Sequence, residues 1–129
     1  MPKNTAVQSE SPTIAILMRA FSRPDYGVWL AASRAAEARG LRVVTYVGRT
    51  LASPDPLESQ ATMIYQLIDP ERIAGAILLA SGIGLYVGTE GMTTFCEAFD
   101  GRPLVSLQMA IPEVPSILVD SYRGMRDVV

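Results

Sequence analysis

Five short apolar runs, separated by stretches of helical periodicity, set the strongest limit on how this chain folds. They read TIAILM (13–18), RVVTYV (42–47), GAILLA (75–80), LVSLQ (104–108) and SILVD (116–120). Runs this short and continuous suit strands buried on both faces, as in a parallel sheet. Between the first two, YGVWLAASRAAEAR predicts a helix over about 26–39, with Asp25 as its cap. Trp29, Ala32, Ala35 and Ala36 share one stripe of it, and Gly40 stands where a helix-ending glycine belongs. Asp55-Pro56-Leu57-Glu58 has the order of cap, proline and acidic residue that starts a second helix, which Asp69-Pro70 ends. A third, short helix is expected over about 90–99, with Phe95 and Phe99 one turn apart.

Strands alternating with helices imply right-handed crossovers and a doubly wound parallel sheet. In such sheets ligands bind beyond the carboxyl ends of the strands. That directs attention to the loops at 19–25, 48–54, 81–89 and 108–115. From Ser121 onward, SYRGMRDVV reads as the first turns of a further helix, so the chain is expected to be a fragment of a longer protein. Residues 1–12 read as a disordered leader, polar and rich in Ser and Pro.

Composition narrows the chemistry. The net charge is −2 and no basic stripe exists, which argues against nucleic-acid contact by this segment. Cys96 is the one cysteine, so no internal disulfide is possible. With no secretory signal and no apolar run long enough to span a membrane, the sequence reads as cytoplasmic. Histidine is absent, which removes Ser–His and Cys–His dyads and most zinc sites. No metal site and no cofactor is expected.

The stretch GAILLASGIGLYVG (75–88) poses the sharpest question, because an apolar strand runs into glycines spaced G-x-G-x-x-x-G. A dinucleotide fingerprint needs those glycines at the strand–helix turn, with the helix starting at the pyrophosphate. Here Leu85-Tyr86-Val87 intervene, and the next strand ends in Gln108 rather than an acidic residue. A loop needing positive φ at Gly82 or Gly84 fits better. A phosphate-binding G-K-[ST] loop fails, since Lys3 is the only lysine. Ser81, Ser106 and Cys96 lack a base to activate them as nucleophiles. The carboxylates Asp25, Asp55, Glu90, Asp100 and Asp120 contain no pair that stands out, and capping accounts for several of them. Arg19, Arg23, Tyr26, Trp29 and Arg49 cluster at and after strand ends. Arginine forks and aromatic faces suit sugars or carboxylates, but the same residues also suit helix packing and a solvated surface.

The order of these motifs resembles the ligand-binding domain of LacI-type repressors and periplasmic sugar-binding proteins. The resemblance rests on Thr13–Ile16 followed by Ser22-Arg23-Pro24-Asp25-Tyr26, and on Ala35–Gly40 closing the helix. It continues through Glu71-Arg72-Ile73-Ala74-Gly75-Ala76-Ile77-Leu78 and Gly101–Leu107. It ends with Pro115-Ser116-Ile117-Leu118-Val119-Asp120 and Gly124. The stretches SPDPLESQATMIYQLIDPERIAGAIL and FCEAFDGRPLVSL look most like the branch fused to bacterial sensor kinases and diguanylate cyclases.

The resemblance implies an α/β, periplasmic-binding-protein-like fold of type I. Residues 13–129 would form the first lobe only, incomplete at the carboxyl end. It implies a non-catalytic domain that senses a small, sugar-like molecule and moves an attached kinase, cyclase or DNA-binding output by lobe closure. A homodimer is compatible with it. The half-site would consist of Ser22, Arg23, Asp25 and Tyr26, with Ser81 and Gly82, Gln108, and Asp120 near the crossover between lobes. Two alternatives remain: the effector domain of a LacI-type DNA-binding regulator, and a nucleotide-using doubly wound enzyme.

Overall fold

In the computed structural model, which describes residues 11–99 and 101–118, the chain forms one five-stranded sheet in the order β2-β1-β3-β4-β5 with every pair parallel. The strands are β1 (Thr13–Met18), β2 (Arg42–Val47), β3 (Gly75–Leu78), β4 (Leu104–Leu107) and β5 (Ser116–Ile117). The helices are α1 (Arg23–Ala38), α2 (Pro56–Ala61), α3 (Ala80–Ile83) and α4 (Gly88–Glu97). Among the described residues no helix is long and apolar enough to cross a membrane.

β1 lies at the centre, and its side chains divide between the two faces at the period of two that a strand requires. Ala15 and Leu17 pack with Ala76, Leu78, Ile83, Met92 and Phe99 under α3 and α4. Ile16 and Met18 pack on the opposite face with Val28, Trp29 and Ala32 of α1. The crossover from β1 to β2 covers one face, and those from β2 to β3 and β3 to β4 cover the other. This is the doubly wound α/β arrangement expected from the strand pattern.

Local signals explain most element ends. Gly40 adopts φ +74°, its N–H donates to Glu37 O at 3.0 Å, and Leu41 N–H donates to Ala36 O at 2.9 Å. That pair of bonds is a Schellman closure of α1. The Asp55 carboxylate accepts from Leu57 N–H at 3.0 Å, capping α2 as expected. Asp69 caps a 3₁₀ turn, Pro70–Arg72, by accepting from Glu71 N–H at 3.0 Å.

Several boundaries are corrected. α1 begins at Arg23 with Ser22 as its flanking residue, because Pro24 belongs inside the first turn, where its missing N–H costs nothing. Asp25 is therefore not a cap. It accepts the Ser22 hydroxyl at 3.0 Å. The second helix changes to 3₁₀ winding at Thr62–Leu67, which brings Tyr65 into the core. β3 ends at Leu78, two residues early, and the glycine stretch is a short helix, Ala80–Ile83, followed by a turn over 84–87 rather than an open loop. Pro12 was assigned to the leader, yet its carbonyl accepts from Arg42 N–H at 2.8 Å and extends the β1–β2 ladder. Residues 1–10 of the leader, the helix expected after Ser121, and Asp100 and Asp120 lie outside the described residues.

Tyr65 holds the carboxyl ends of β1 and β2 together. Its hydroxyl lies 2.9 Å from Arg49 O and 3.2 Å from Met18 O, and burial pushes its ionisation well above the ordinary phenol range. Removing that hydroxyl in Tyr65→Phe strands a carbonyl without a donor. A loss of about 1–2 kcal/mol is expected, read from urea unfolding of the variant against the parent.

Candidate functional site

The carboxyl ends of β1, β3 and β4 carry the polar residues singled out in the sequence. Asp25, Ser81 and Gln108 line one small cleft there, with Val28, Leu79 and Leu107 as its apolar walls. Three separate segments supply these groups. Asp25 comes from the first turn of α1, Ser81 from α3 and Gln108 from the residue after β4. Ser81 Oγ lies 3.5 Å from Gln108 Oε1, at the long limit of a hydrogen bond. The cleft holds only about 10 Å³, space for about one water molecule. It is too small to enclose a ligand by itself.

Gln108 is held in place by its backbone. It adopts φ +65°, a conformation that costs a residue with a Cβ about 1 kcal/mol or more. Its N–H donates to Ile117 O at 2.8 Å. The Ser106 hydroxyl donates to Met109 O at 2.6 Å, and Ser116 Oγ bonds Val114 O and accepts from Ile111 N–H. The loop after β4 is thus pinned at both ends, and buried Ile111 anchors its middle. Strain held by a rigid surround is a feature that concentrates at functional positions.

Aromatic rings cluster at the start of α1 and the turn before it. Tyr26 stacks on Trp29 at 5.8 Å between centroids, and Phe21 meets Trp29 edge-on at 5.3 Å. Trp29 is a support: its Nε1–H donates to Thr45 Oγ1 at 2.8 Å and its ring packs on the core under α1. Tyr26 and Phe21 are about half exposed, at 49% and 51%. The two open readings of this cluster therefore separate by residue, with Trp29 in packing and its two neighbours left facing solvent.

The glycine stretch is explained by side-chain packing. A Cβ at Gly82 would lie 3.2 Å from Arg19 Cβ and 3.4 Å from its Cδ and Nε, so the Arg19 side chain runs directly over this glycine. A Cβ at Gly84 would lie 2.5 Å from Met92 Cγ. Neither glycine has positive φ, which corrects that expectation; Gly88 does, at +66°, where α4 begins. The spacing that resembled a nucleotide fingerprint is thus accounted for by an arginine, a methionine and one turn.

Ser22, Arg23, Asp25, Tyr26, Ser81, Gly82 and Gln108 all lie at this edge of the sheet. Asp120 lies outside the described residues. Sequence reading missed Thr50, a buried hydroxyl that donates to Gly82 O at 3.0 Å and ties the β2 and β3 loops together. It also missed Phe21. Thr50 carries no motif, whereas an exposed aromatic beside a strand end is a signal that was available for Phe21. Cys96 is half-buried in α4, and burial raises its thiol pKa, so the reactive thiolate is disfavoured. Among the described residues no group of three or more His, Cys, Asp or Glu side chains is placed to hold a metal.

A larger recess, about 480 Å³, lies at the opposite ends of the strands between α1 and β4. Alanines 32, 35, 36 and 74 with Ile14, Ile77 and Val105 dominate its walls. Its one charged lining residue, Arg39, already donates to Ala35 O at 3.1 Å. The recess offers nothing to orient a polar ligand, so the carboxyl-edge patch is the candidate site despite its smaller volume. Compared with family models, curated proteins and solved structures, the chain matches none.

The two packing glycines should respond differently to a methyl group. Gly84→Ala forces the buried Met92 to move and is expected to cost about 1–3 kcal/mol. Gly82→Ala meets Arg19 Cβ at 3.2 Å, a contact relieved by a shift of a few tenths of an ångström, and gains helix propensity, so stability should stay within about 1 kcal/mol. Thermal unfolding of the two variants checks this.

Proposed function

We propose that this chain is the first lobe of a small-molecule sensing domain of the LacI and periplasmic sugar-binding type. Its ligand is a small, sugar-like molecule held at the carboxyl edge of the sheet, and its role is regulatory rather than catalytic. The observation that carries this reading is the convergence of Asp25, Ser81 and Gln108, from three separate segments, on one cleft, with the half-exposed Tyr26 next to Asp25 in the first turn of α1. A carboxylate and a side-chain amide are the groups that bind sugar hydroxyls, and an exposed aromatic face stacks on a sugar ring.

The shallowness of the cleft supports the same reading. A surface with room for a single water cannot bury a ligand alone, and a second wall would complete it. In a two-lobed sensor that wall is the other lobe. Ligand would then favour the closed arrangement by its difference in affinity between open and closed states. Closure would act as a hinge motion on an attached kinase, cyclase or DNA-binding output. The lone cysteine favours a reducing, cytoplasmic setting. The packing explanation of the glycine stretch weakens the competing nucleotide-using enzyme, since no phosphate need be invoked for Gly82 or Gly84.

A thermal-shift screen of sugars, nucleosides and amino acids tests the proposal. A ligand of the folded state present at a hundred times its Kd stabilises by about 2.7 kcal/mol. Tyr26→Ala and Arg23→Ala should abolish that shift. Both residues are exposed, so the ligand-free midpoint should move little. Undiminished response in both variants would overturn the site assignment.

A further inference from the structure

Resting on the sensing site above, we infer that its ligand is a hydroxylated molecule carrying an anionic group, a phosphate or a carboxylate, and not a neutral sugar. Three arginines stand at the carboxyl edge of β1 and β2, on the loops beside the cleft formed by Asp25, Ser81 and Gln108. Arg19 is the first residue after β1, and its side chain lies across Gly82, the neighbour of Ser81. Arg49 follows β2, and its N–H donates to Arg19 O at 3.2 Å, so the two backbones are bonded side by side. Arg23 opens α1 beside Asp25.

None of the three guanidinium groups makes a hydrogen bond or ion pair among the described residues, where Arg72–Asp69 is an ion pair remote from this edge. Arginine is the default cation of this chain, with Lys3 the only lysine. It is therefore the placement, not the residue type, that carries the inference. Arg49 also holds φ +66°. A residue with a Cβ adopts that conformation at a cost, and Tyr65 enforces it through the hydrogen bond to Arg49 O at 2.9 Å.

The acidic groups on the same loops do not neutralise this cluster. The Asp55 carboxylate is committed to Leu57 N–H of α2, and Glu113 belongs to the loop leading to β5. Asp25 accepts the Ser22 hydroxyl and remains on the cleft wall. α1 and α4 both begin at this edge, and the partial positive charge of their amino ends is met by Asp25 and Glu90 in their first turns, so the arginines alone carry the inference. Asp25, Ser81 and Gln108 thus suit hydroxyl groups, and the arginines suit an anion through paired, charge-assisted hydrogen bonds.

The test is a set of ¹⁵N–¹H correlation titrations of the full chain with glucose, glucose 6-phosphate and gluconate. Glucose 6-phosphate or gluconate should shift the amides of 19–26, 49–50, 81–82 and 108. Its binding should be at least about tenfold tighter than that of glucose. Which of the two wins identifies the anionic group. Arg19→Ala should weaken the winner by about tenfold, and Arg72→Ala, at the amino end of β3, should not. Equal binding of all three at these residues would overturn the anionic inference and leave the sensing site standing. Equal loss in the two variants would also overturn it, by reducing the preference to diffuse charge. No shift at these residues with any of the three would overturn both.

Discussion

The burial of β1 is the constraint on which everything else depends. Ala15, Ile16, Leu17 and Met18 have no exposed surface, and the strand is bonded to β2 on one side and β3 on the other. A strand in that position must be apolar on both faces, and its polar groups must wait until it ends. At Met18 the carbonyl accepts Gly48 N–H and stands beside the Tyr65 hydroxyl. At Arg19 the carbonyl accepts Arg49 N–H. The end of β1 is therefore the first place where charge can appear, and it is held rigidly by two neighbouring segments. A fixed polar edge on an apolar sheet follows from the same burial that makes the sheet stable.

The architecture was legible because its signals are local. Short apolar runs of five or six residues located the strands, and β1 and β2 begin and end where the runs do. Gly40 and Asp55 announced a helix end and a helix start through backbone chemistry that each residue carries by itself. The start of α1 was misplaced because two rules competed. Asp25 is a good cap, but Pro24 is equally good inside a first turn, and Ser22 behind it completes the turn. The glycine stretch was misread for a different reason. Its spacing reports on Arg19 and Met92, which are distant in sequence, and no local rule reaches them.

The candidate site was legible in its residues and not in its geometry. Loop positions after parallel strands are places where function concentrates, and that rule reached the loops holding Ser22, Asp25, Ser81 and Gln108, while the family resemblance singled out those residues within them. Their convergence is a property of register. β1 pairs with β3 through Leu17 and Leu78, and β3 with β4 through Leu78 and Ser106, so their ends are level and the following residues meet. Thr50 escaped notice because a threonine after a strand is ordinary until Gly82 O appears beside it. The positive φ of Gln108 was equally invisible, since it is imposed by Ser106 and Ser116 through the loop between them.

These observations fit one economy of construction. The loops that carry polar groups are tied to each other by groups that a ligand has no need to touch. Tyr65 joins the β1 and β2 ends, Thr50 joins the β2 and β3 loops, and Ser106 with Ser116 fixes the β4 loop. The exposed groups, Arg23, Tyr26 and Phe21, sit on α1 and the short turn before it, with Trp29 wedged beneath by its bond to Thr45. Under the proposed sensing role, rigid polar atoms on one side and adjustable side chains on the other would orient a ligand with little rearrangement. Preorganisation of that kind would lower the ordering cost of binding, which matters most where the contact area is as small as it is here.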